Sequence, residues 1–208
     1  MVLTMHYPFE LPPLNYPYDA LEPYISEETM HIHHDILFKN YINSLNVIVR
    51  NNMLYKDWNL LTLLTYVDDF EEPLRTLIKN SAGGVLSHYV YFETLTPHST
   101  EPKGPLLKAI NRDFGSVDIM LNFMVDKAFT TFGSGNTWLL YDTSFNLRIL
   151  STPNQDPPPI EILRPLLVID MWEHAFFLQY QTDKRAYLDA WKNIINWDAP
   201  IYLKEIEK

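Results

Sequence analysis

Three histidines and one aspartate stand where a buried polar side chain would need a partner. The sequence predicts His33 on a helix face that is otherwise apolar or aromatic, and His88 on a second, aromatic helix. Asp170 directly follows a short buried strand, and His174 comes four residues later, so its ring can turn back toward the same point. A buried carboxylate costs free energy unless its charge is paired or binds a cation. Three imidazoles and one carboxylate suit Mn, Fe or catalytic Zn, whereas Ca and Mg prefer oxygen ligands.

The same four residues also have a purely structural interpretation. A single histidine on an apolar helix face is more often a hydrogen-bonded core residue than a metal ligand. Asp170 and His174 equally fit a helix N-cap followed by a core histidine. Spacing alone leaves both interpretations open. Because the chain has no cysteine, a metal site here would have to be built from His, Asp and Glu.

Two further histidines flank the first candidate ligand. His33, Leu37 and Tyr41 are spaced four residues apart and therefore share one face of an α-helix. His31 and His34 fall off that face. We therefore predict that both are exposed.

The elements that must position these side chains follow from periodicity and punctuation. Ser26 is a predicted N-cap, and apolar positions continue with a helical period from Met30. The proline-rich stretch at 8–24 is predicted to be an extended arm. Gly83 and Gly84 each cost about 1 kcal/mol in a helix interior relative to alanine, so they indicate close packing there.

The remaining segments predict both helices and strands. Helical patterns cover residues 74–95, 105–113, 117–132 and 185–196, and strand patterns cover 137–141, 147–151 and 165–169. The composition of residues 96–104 is typical of a linker. The predicted division is a helical unit at 1–95, the linker at 96–104 and an α/β unit at 105–208.

Composition argues against several classes of partner. The 208 residues carry 16 Lys and Arg against 26 Asp and Glu, a net charge of −10, which disfavours nucleic acid or an anionic membrane as the main partner. No apolar run approaches the roughly 20 residues that cross a bilayer. Residues 1–7 lack the features of a signal peptide. We expect a soluble cytoplasmic protein, or a mitochondrial matrix protein if a transit peptide was removed.

Six segments carry a resemblance to a known family. They are FELPPLNYPYDALEPYIS at 9–26, ETMHIHHD at 28–35, GSG at 133–135, NQDPP at 154–158, DMWEHAFFLQY at 170–180 and INW at 195–197. With them the chain resembles the iron/manganese superoxide dismutases from residue 9 to residue 197. The D-x-W-E-H run together with ETM-x-x-HH is highly specific.

The resemblance implies an activity, a cofactor and a fold. The implied enzyme converts superoxide to dioxygen and hydrogen peroxide by a ping-pong redox cycle at one Mn or Fe ion per subunit, with Mn preferred. The implied fold is α+β, an N-terminal helical hairpin packed on a C-terminal α/β lobe with a three-stranded antiparallel sheet. The implied assembly is a homodimer or tetramer. The alternative function is a non-catalytic assembly or scaffold protein on the same fold.

The resemblance also implies residue roles. The family's metal ligands match His33, His88, Asp170 and His174. Tyr41 matches a gateway tyrosine, and Gln155 matches a glutamine that hydrogen-bonds the metal-bound solvent in the manganese type. Trp172 matches a tryptophan that lines the pocket. Glu173 matches a glutamate that reaches the ligand histidine of the other subunit in family dimers.

Five positions depart from the family pattern. Leu37 stands where a second histidine usually follows the first ligand, and Phe177 stands where a tyrosine usually pairs with that histidine across the dimer. Asn136 replaces a pocket tryptophan, while Ser87 and Phe92 replace the usual asparagine and tryptophan beside the second ligand. These changes predict altered proton supply and pocket shielding, but they leave the ligand set intact.

Overall fold

Helices make up the N-terminal half of the molecule. The computed structural model describes residues 5–199. In this half the elements are α1 (Glu27–His31), a π-helical segment (Ile32–Phe38), α2 (Lys39–Asn51), α3 (Leu60–Thr65) and α4 (Leu74–Glu93). The first three follow one another without a break, and α2 packs against α4. The N-terminal half is therefore a helical hairpin, as predicted.

The start of α1 is determined by a side-chain cap, as the sequence predicts. Ser26 Oγ accepts a hydrogen bond from the backbone N–H of Thr29 at 3.2 Å. Two acidic side chains, Glu27 and Glu28, occupy the first turn, where the helix dipole favours negative charge.

The proline-rich arm, residues 8–24, forms no helix and lies against the hairpin. The backbone N–H of Phe9 donates to Asn46 Oδ1 at 2.7 Å. The hydroxyl of Tyr16 donates to the carbonyl of Phe92 at 3.0 Å. The arm thus connects the two helices of the hairpin on one side.

The exposure predicted for His34 is wrong, whereas that of His31 is confirmed. His34 is 3% exposed, and its Nε2 lies 2.9 Å from the carbonyl oxygen of Pro12 in the arm. The prediction assumed α-helical spacing, but Ile32–Phe38 is π-helical. A π-helix bonds residue i to i+5, so it carries more residues per turn and brings both His33 and His34 to buried sides.

The C-terminal half surrounds a three-stranded sheet. Its elements are α5 (Gly104–Phe114), α6 (Val117–Phe129), β1 (Gly135–Asp142), β2 (Leu147–Pro153), β3 (Leu163–Asp170), α7 (Glu173–Tyr180) and α8 (Lys184–Trp191). The strand order is β2-β1-β3, and both pairings are antiparallel. The predicted α+β fold class is therefore confirmed. None of the described helices is both long enough and apolar enough to span a bilayer.

Three predicted helices end earlier than expected, the one at 74–95 by two residues at Glu93, and one helix was not among the predicted segments. The pattern at 117–132 ends at Phe129, and the one at 185–196 ends at Trp191 and continues as a 3-10 turn. The N-cap interpretation of Asp170 implies a helix here, but α7 begins only after Trp172, no side chain caps its N-terminus, and its buried residues, Ala175 and Phe176, are adjacent.

The predicted linker is hydrogen-bonded to the C-terminal segment of the described chain. The backbone N–H of Thr96 donates to the carbonyl of Ile194 at 2.8 Å, and that of Thr100 donates to the carbonyl of Ile195 at 3.2 Å. The division into units at 1–95 and 105–208 stays a prediction.

Candidate metal centre

The four candidate ligands converge on one point. One ligand atom from each of His33, His88, Asp170 and His174 lies within 4.8 Å of the others. Asp170 Oδ2 is 3.3 Å from His33 Nε2 and 3.3 Å from His174 Nε2. The rings of His33 and His88 lie edge to face, with centroids 4.8 Å apart.

Four separate elements supply these side chains. His33 comes from the π-helical segment and His88 from α4, which is buried without interruption from Ser81 to Phe92. Asp170 is the last residue of β3, and His174 lies in the first turn of α7. The hairpin and the α/β half therefore each contribute two ligands.

The unpaired ring nitrogens fit a metal. His88 Nδ1 donates to the carbonyl of Gly84 at 2.7 Å, so its Nε2 carries the lone pair. Within residues 5–199, His88 Nε2 and His33 Nδ1 are buried without a hydrogen-bond partner, and His33 Nε2 approaches Asp170 Oδ2 at 3.3 Å without hydrogen-bond geometry. Buried polar atoms are nearly always paired, so these orphaned nitrogens indicate that the cluster is built to hold a cation.

The protonation states of the cluster suit metal binding. Burial lowers the pKa of His33 to about 4 and that of His88 to about 3, so both rings are neutral at pH 7. Burial by itself raises the pKa of Asp170, but the imidazoles of His174 and His33 beside its carboxylate outweigh burial and hold that pKa well below its usual range. His33 and His88 thus offer neutral nitrogens, and Asp170 offers an ionised carboxylate.

Asp170 is held in place from two sides. The backbone N–H of Trp172 donates to its Oδ1 at 2.7 Å, which leaves Oδ2 for the histidines. The hydroxyl of buried Tyr187 donates to its backbone carbonyl at 3.0 Å. Such orienting contacts are typical of metal ligands. Sequence reasoning missed Tyr187, because its role depends on how α8 packs against the end of β3.

Gln155 and Tyr41 form a hydrogen-bonded pair beside the cluster. Gln155 is 4% exposed, and its Nε2 donates to the Tyr41 hydroxyl at 3.1 Å. The centroid of the Tyr41 ring lies 5.1 Å from the centroid of the His88 ring. Burial raises the pKa of Tyr41, the hydrogen bond from Gln155 lowers it, and the charge of Asp170 raises it. The net shift is upward, so the phenol keeps its proton at pH 7.

The two glycines of α4 make room for this pair. A Cβ added to Gly84 would lie 2.4 Å from the ring of Tyr41, and one added to Gly83 would lie 1.9 Å from the carbonyl oxygen of Gln155. The close packing predicted from two glycines inside a helix is confirmed.

Trp172 and Asn136 meet at the carbonyl of Asn154. Trp172 Nε1 donates to it at 3.2 Å, and Asn136 Nδ2 donates at 3.1 Å. The Trp172 ring stacks on that of His174 with centroids 5.7 Å apart. Trp172 therefore walls the cluster on its more exposed side, whereas Asn136 is buried.

Three predicted site residues lie on the surface of the chain and not in the cluster. Glu173 is exposed, Phe177 is 47% exposed, and Leu37 is half-buried. The Glu173 side chain makes no hydrogen bond or ion pair with any residue between 5 and 199. These positions leave the three side chains available to a second subunit.

Comparison with known proteins covers nearly the whole chain. The family model for the iron/manganese superoxide dismutase alpha-hairpin domain matches residues 8–96, and that for the C-terminal domain matches residues 102–200. The chain is 40% identical to the manganese superoxide dismutase of Thermus thermophilus over 196 residues, which covers 94% of this chain and 96% of the relative. It is 41% identical to the superoxide dismutase [Mn/Fe] 2 of Staphylococcus aureus over 189 residues, or 91% of this chain and 94% of the relative.

Proposed function

The chain belongs to the iron/manganese superoxide dismutases, and from this premise we propose how its own residues convert superoxide to dioxygen and hydrogen peroxide. Two superoxide ions and two protons give one molecule of each product. The observation that carries the proposal is the convergence of three histidines and one aspartate on one buried point.

The ligand roles are part of the proposal. His33, His88 and His174 would hold the ion through neutral nitrogens, and Asp170 would add the one negative charge of the donor set. The one-electron redox chemistry would come from a Mn or Fe ion held by these four side chains. The charge of Asp170 favours the more highly charged oxidation state of either metal.

Proton supply is assigned to Tyr41. Because Gln155 Nε2 donates to the Tyr41 oxygen, the phenol does not need its own proton for that bond and can donate it into the pocket. Trp172 shields the cluster from bulk water on the His174 side. Peroxide needs two protons, so a positioned donor beside the reacting oxygen lowers the cost of the second half of the cycle.

The function is tested by metal analysis together with a superoxide-consumption assay on the purified protein. A dismutase should hold up to one Mn or Fe per chain and consume superoxide in proportion to that metal. The non-catalytic scaffold predicts metal-loaded protein without activity. The named relatives and the intact four-residue cluster do not favour it.

We predict that the manganese form is more active than the iron form. In this family the solvent-holding glutamine comes from the second helix in the iron type and from the loop after the second strand in the manganese type. The helix position is Gly84 and the loop position is Gln155, and the ring of Tyr41 occupies the space that a side chain on Gly84 would need. Val168, two residues before Asp170, is close enough to bias the site toward iron or dual use.

Reconstitution of the apoprotein with each metal separately tests this preference. Activity per bound ion is expected to be higher with Mn. An iron form that is clearly faster per bound ion would overturn the assignment. The relatives, which are named for Mn or for Mn/Fe, support both loadings.

We propose that the chain forms a homodimer through the surface that carries Leu37, Glu173 and Phe177. Exposed Glu173 directly precedes His174, so the glutamate of a second copy could reach that ring. Leu37 and Phe177 are both apolar where the family has a hydrogen-bonded pair, so they can pack together without leaving a donor unpaired. A tetramer and the cytoplasmic location stay predictions.

Leu37→His alone is expected to weaken the dimer, because the new imidazole would meet Phe177 and stay unpaired at a cost of roughly 1–3 kcal/mol. Leu37→His with Phe177→Tyr should recover stability, since the two polar groups can bond. A double-mutant cycle on the dimer dissociation constant measures the coupling. Ile119→His, at an exposed position of α6, is the control for adding a surface imidazole. Simple additivity would show that Leu37 and Phe177 do not face each other.

A further inference from the structure

The loop that carries Gln155 lies along one side of α4. Lys79, Gly83 and Ser87 are spaced four residues apart, so they share that side. Lys79 Nζ forms an ion pair with Asp156 Oδ1 at 2.9 Å, and a Cβ on Gly83 would lie 1.9 Å from the Gln155 carbonyl oxygen. The loop backbone thus passes directly over Gly83, the ion pair joins the next loop residue to α4, and Ser87 reaches the Gln155 side chain.

The hydroxyl of Ser87 can donate one proton, and two acceptors, the Gln155 side-chain oxygen and the Gly84 carbonyl, lie within reach of it. Ser87 Oγ is 2.9 Å from Gln155 Oε1 and 3.1 Å from the carbonyl oxygen of Gly84. The Gly84 carbonyl already accepts from His88 Nδ1 at 2.7 Å. Within residues 5–199, Ser87 is the donor that reaches Gln155 Oε1, and a buried amide oxygen left without a donor is costly. The proton therefore goes to Gln155.

This bond favours one orientation of the Gln155 amide. The two ends of a carboxamide have nearly the same shape, so its hydrogen bonds select the orientation. With Oε1 accepting from Ser87, the NH2 group must face Tyr41, and it donates to the Tyr41 oxygen at 3.1 Å. In the reversed orientation the phenol would use its own proton to reach Oε1, and Ser87 would have to give its proton to the Gly84 carbonyl, which already accepts from His88 Nδ1.

We propose that Ser87 is a positioning residue that sets the direction of the hydrogen bonds running from Ser87 through Gln155 to Tyr41. Its hydroxyl keeps the Gln155 amide turned so that the Tyr41 proton stays free for the reacting oxygen. This inference rests on the proposed function and deepens it. It gives a role to a position where the family usually has asparagine, since a serine hydroxyl can supply the same donor.

The test compares Ser87→Ala, Ser87→Thr and Ser81→Ala in the metal-loaded protein. Ser87→Ala removes the donor, Ser87→Thr keeps it, and Ser81→Ala removes another buried hydroxyl from the same helix without touching Gln155. The readouts are metal content, the visible absorption spectrum of the oxidised Mn form, the reduction potential and the activity per bound ion.

Ser87→Ala should keep full metal content, lose about 10-fold or more in activity, and change both the spectrum and the reduction potential. Ser87→Thr should restore the activity, the spectrum and the reduction potential toward those of wild type, and Ser81→Ala should match wild type. A Ser87→Ala variant whose spectrum, potential and activity equal those of wild type would overturn the inference. If metal-loaded wild-type protein consumed no superoxide, the proposed function would be contradicted. The spectra and reduction potentials of the variants would then still test the role of Ser87.

Discussion

Replacing Asp170 or His88 with alanine is expected to abolish stoichiometric binding of Mn or Fe, and superoxide consumption with it. Both side chains are buried, and each supplies one of the four donors. Asp170→Ala also removes the only negative charge of the set and leaves three neutral imidazoles around the ion. Residues that merely orient a ligand already contribute about 10- to 100-fold to metal affinity or activity. The loss of a ligand should cost more.

Elemental analysis after reconstitution and exhaustive dialysis measures this directly. His31→Ala is the matched control, because His31 is an exposed histidine at the end of α1, two residues before His33. Its metal content should equal that of wild type. Asp170→Asn separates charge from packing, since it preserves the shape of the side chain and removes the charge. Full metal content in either alanine variant would mean that the four residues are not the ligand set.

The candidate ligands could be predicted from the sequence because each is a polar residue in a segment that otherwise must be buried. His88 stands in a run that is buried from Ser81 to Phe92, and Asp170 ends a buried strand. A charge or an imidazole in such a place needs a partner. Gly83 and Gly84 predicted close packing for a similar reason, since glycine inside a helix costs free energy that a close approach must repay.

Other features depend on geometry that local patterns do not carry. The burial of His34 depends on a π-helical segment, which has more residues per turn than an α-helix, and on the arm that covers its ring; a prediction that assumes α-helical spacing includes neither. The role of Ser87 depends on Gln155, 68 residues further along the chain, and that contact exists only after the loop packs on α4. The helix α7 has no capping side chain, so the one local signal, Asp170 as a possible N-cap, placed the start of the helix too early.

Gly83→Ala is expected to destabilise the protein and impair the site while the metal stays bound. In an ordinary helix interior, glycine to alanine gains about 1 kcal/mol. Here the new Cβ would lie 1.9 Å from the Gln155 carbonyl oxygen, a backbone atom that cannot rotate away. Overpacking of this kind typically costs about 1–3 kcal/mol. The sign of the effect is thus opposite to that predicted from helix propensity.

The loop must move to relieve that overlap, and Gln155 moves with it. The hydrogen bonds from Ser87 to Gln155 and from Gln155 to Tyr41 should then lengthen or break, so activity per bound ion falls although all four ligands are intact. Denaturant unfolding of the apoprotein, metal analysis and the superoxide assay measure the three effects separately. Asn80→Ala, at an exposed position of the same helix, should gain a few tenths of a kcal/mol from propensity alone and keep full activity. If Gly83→Ala proved as stable and as active as Asn80→Ala, the loop would not lie against α4 as described, and the positioning of Gln155 would need another explanation.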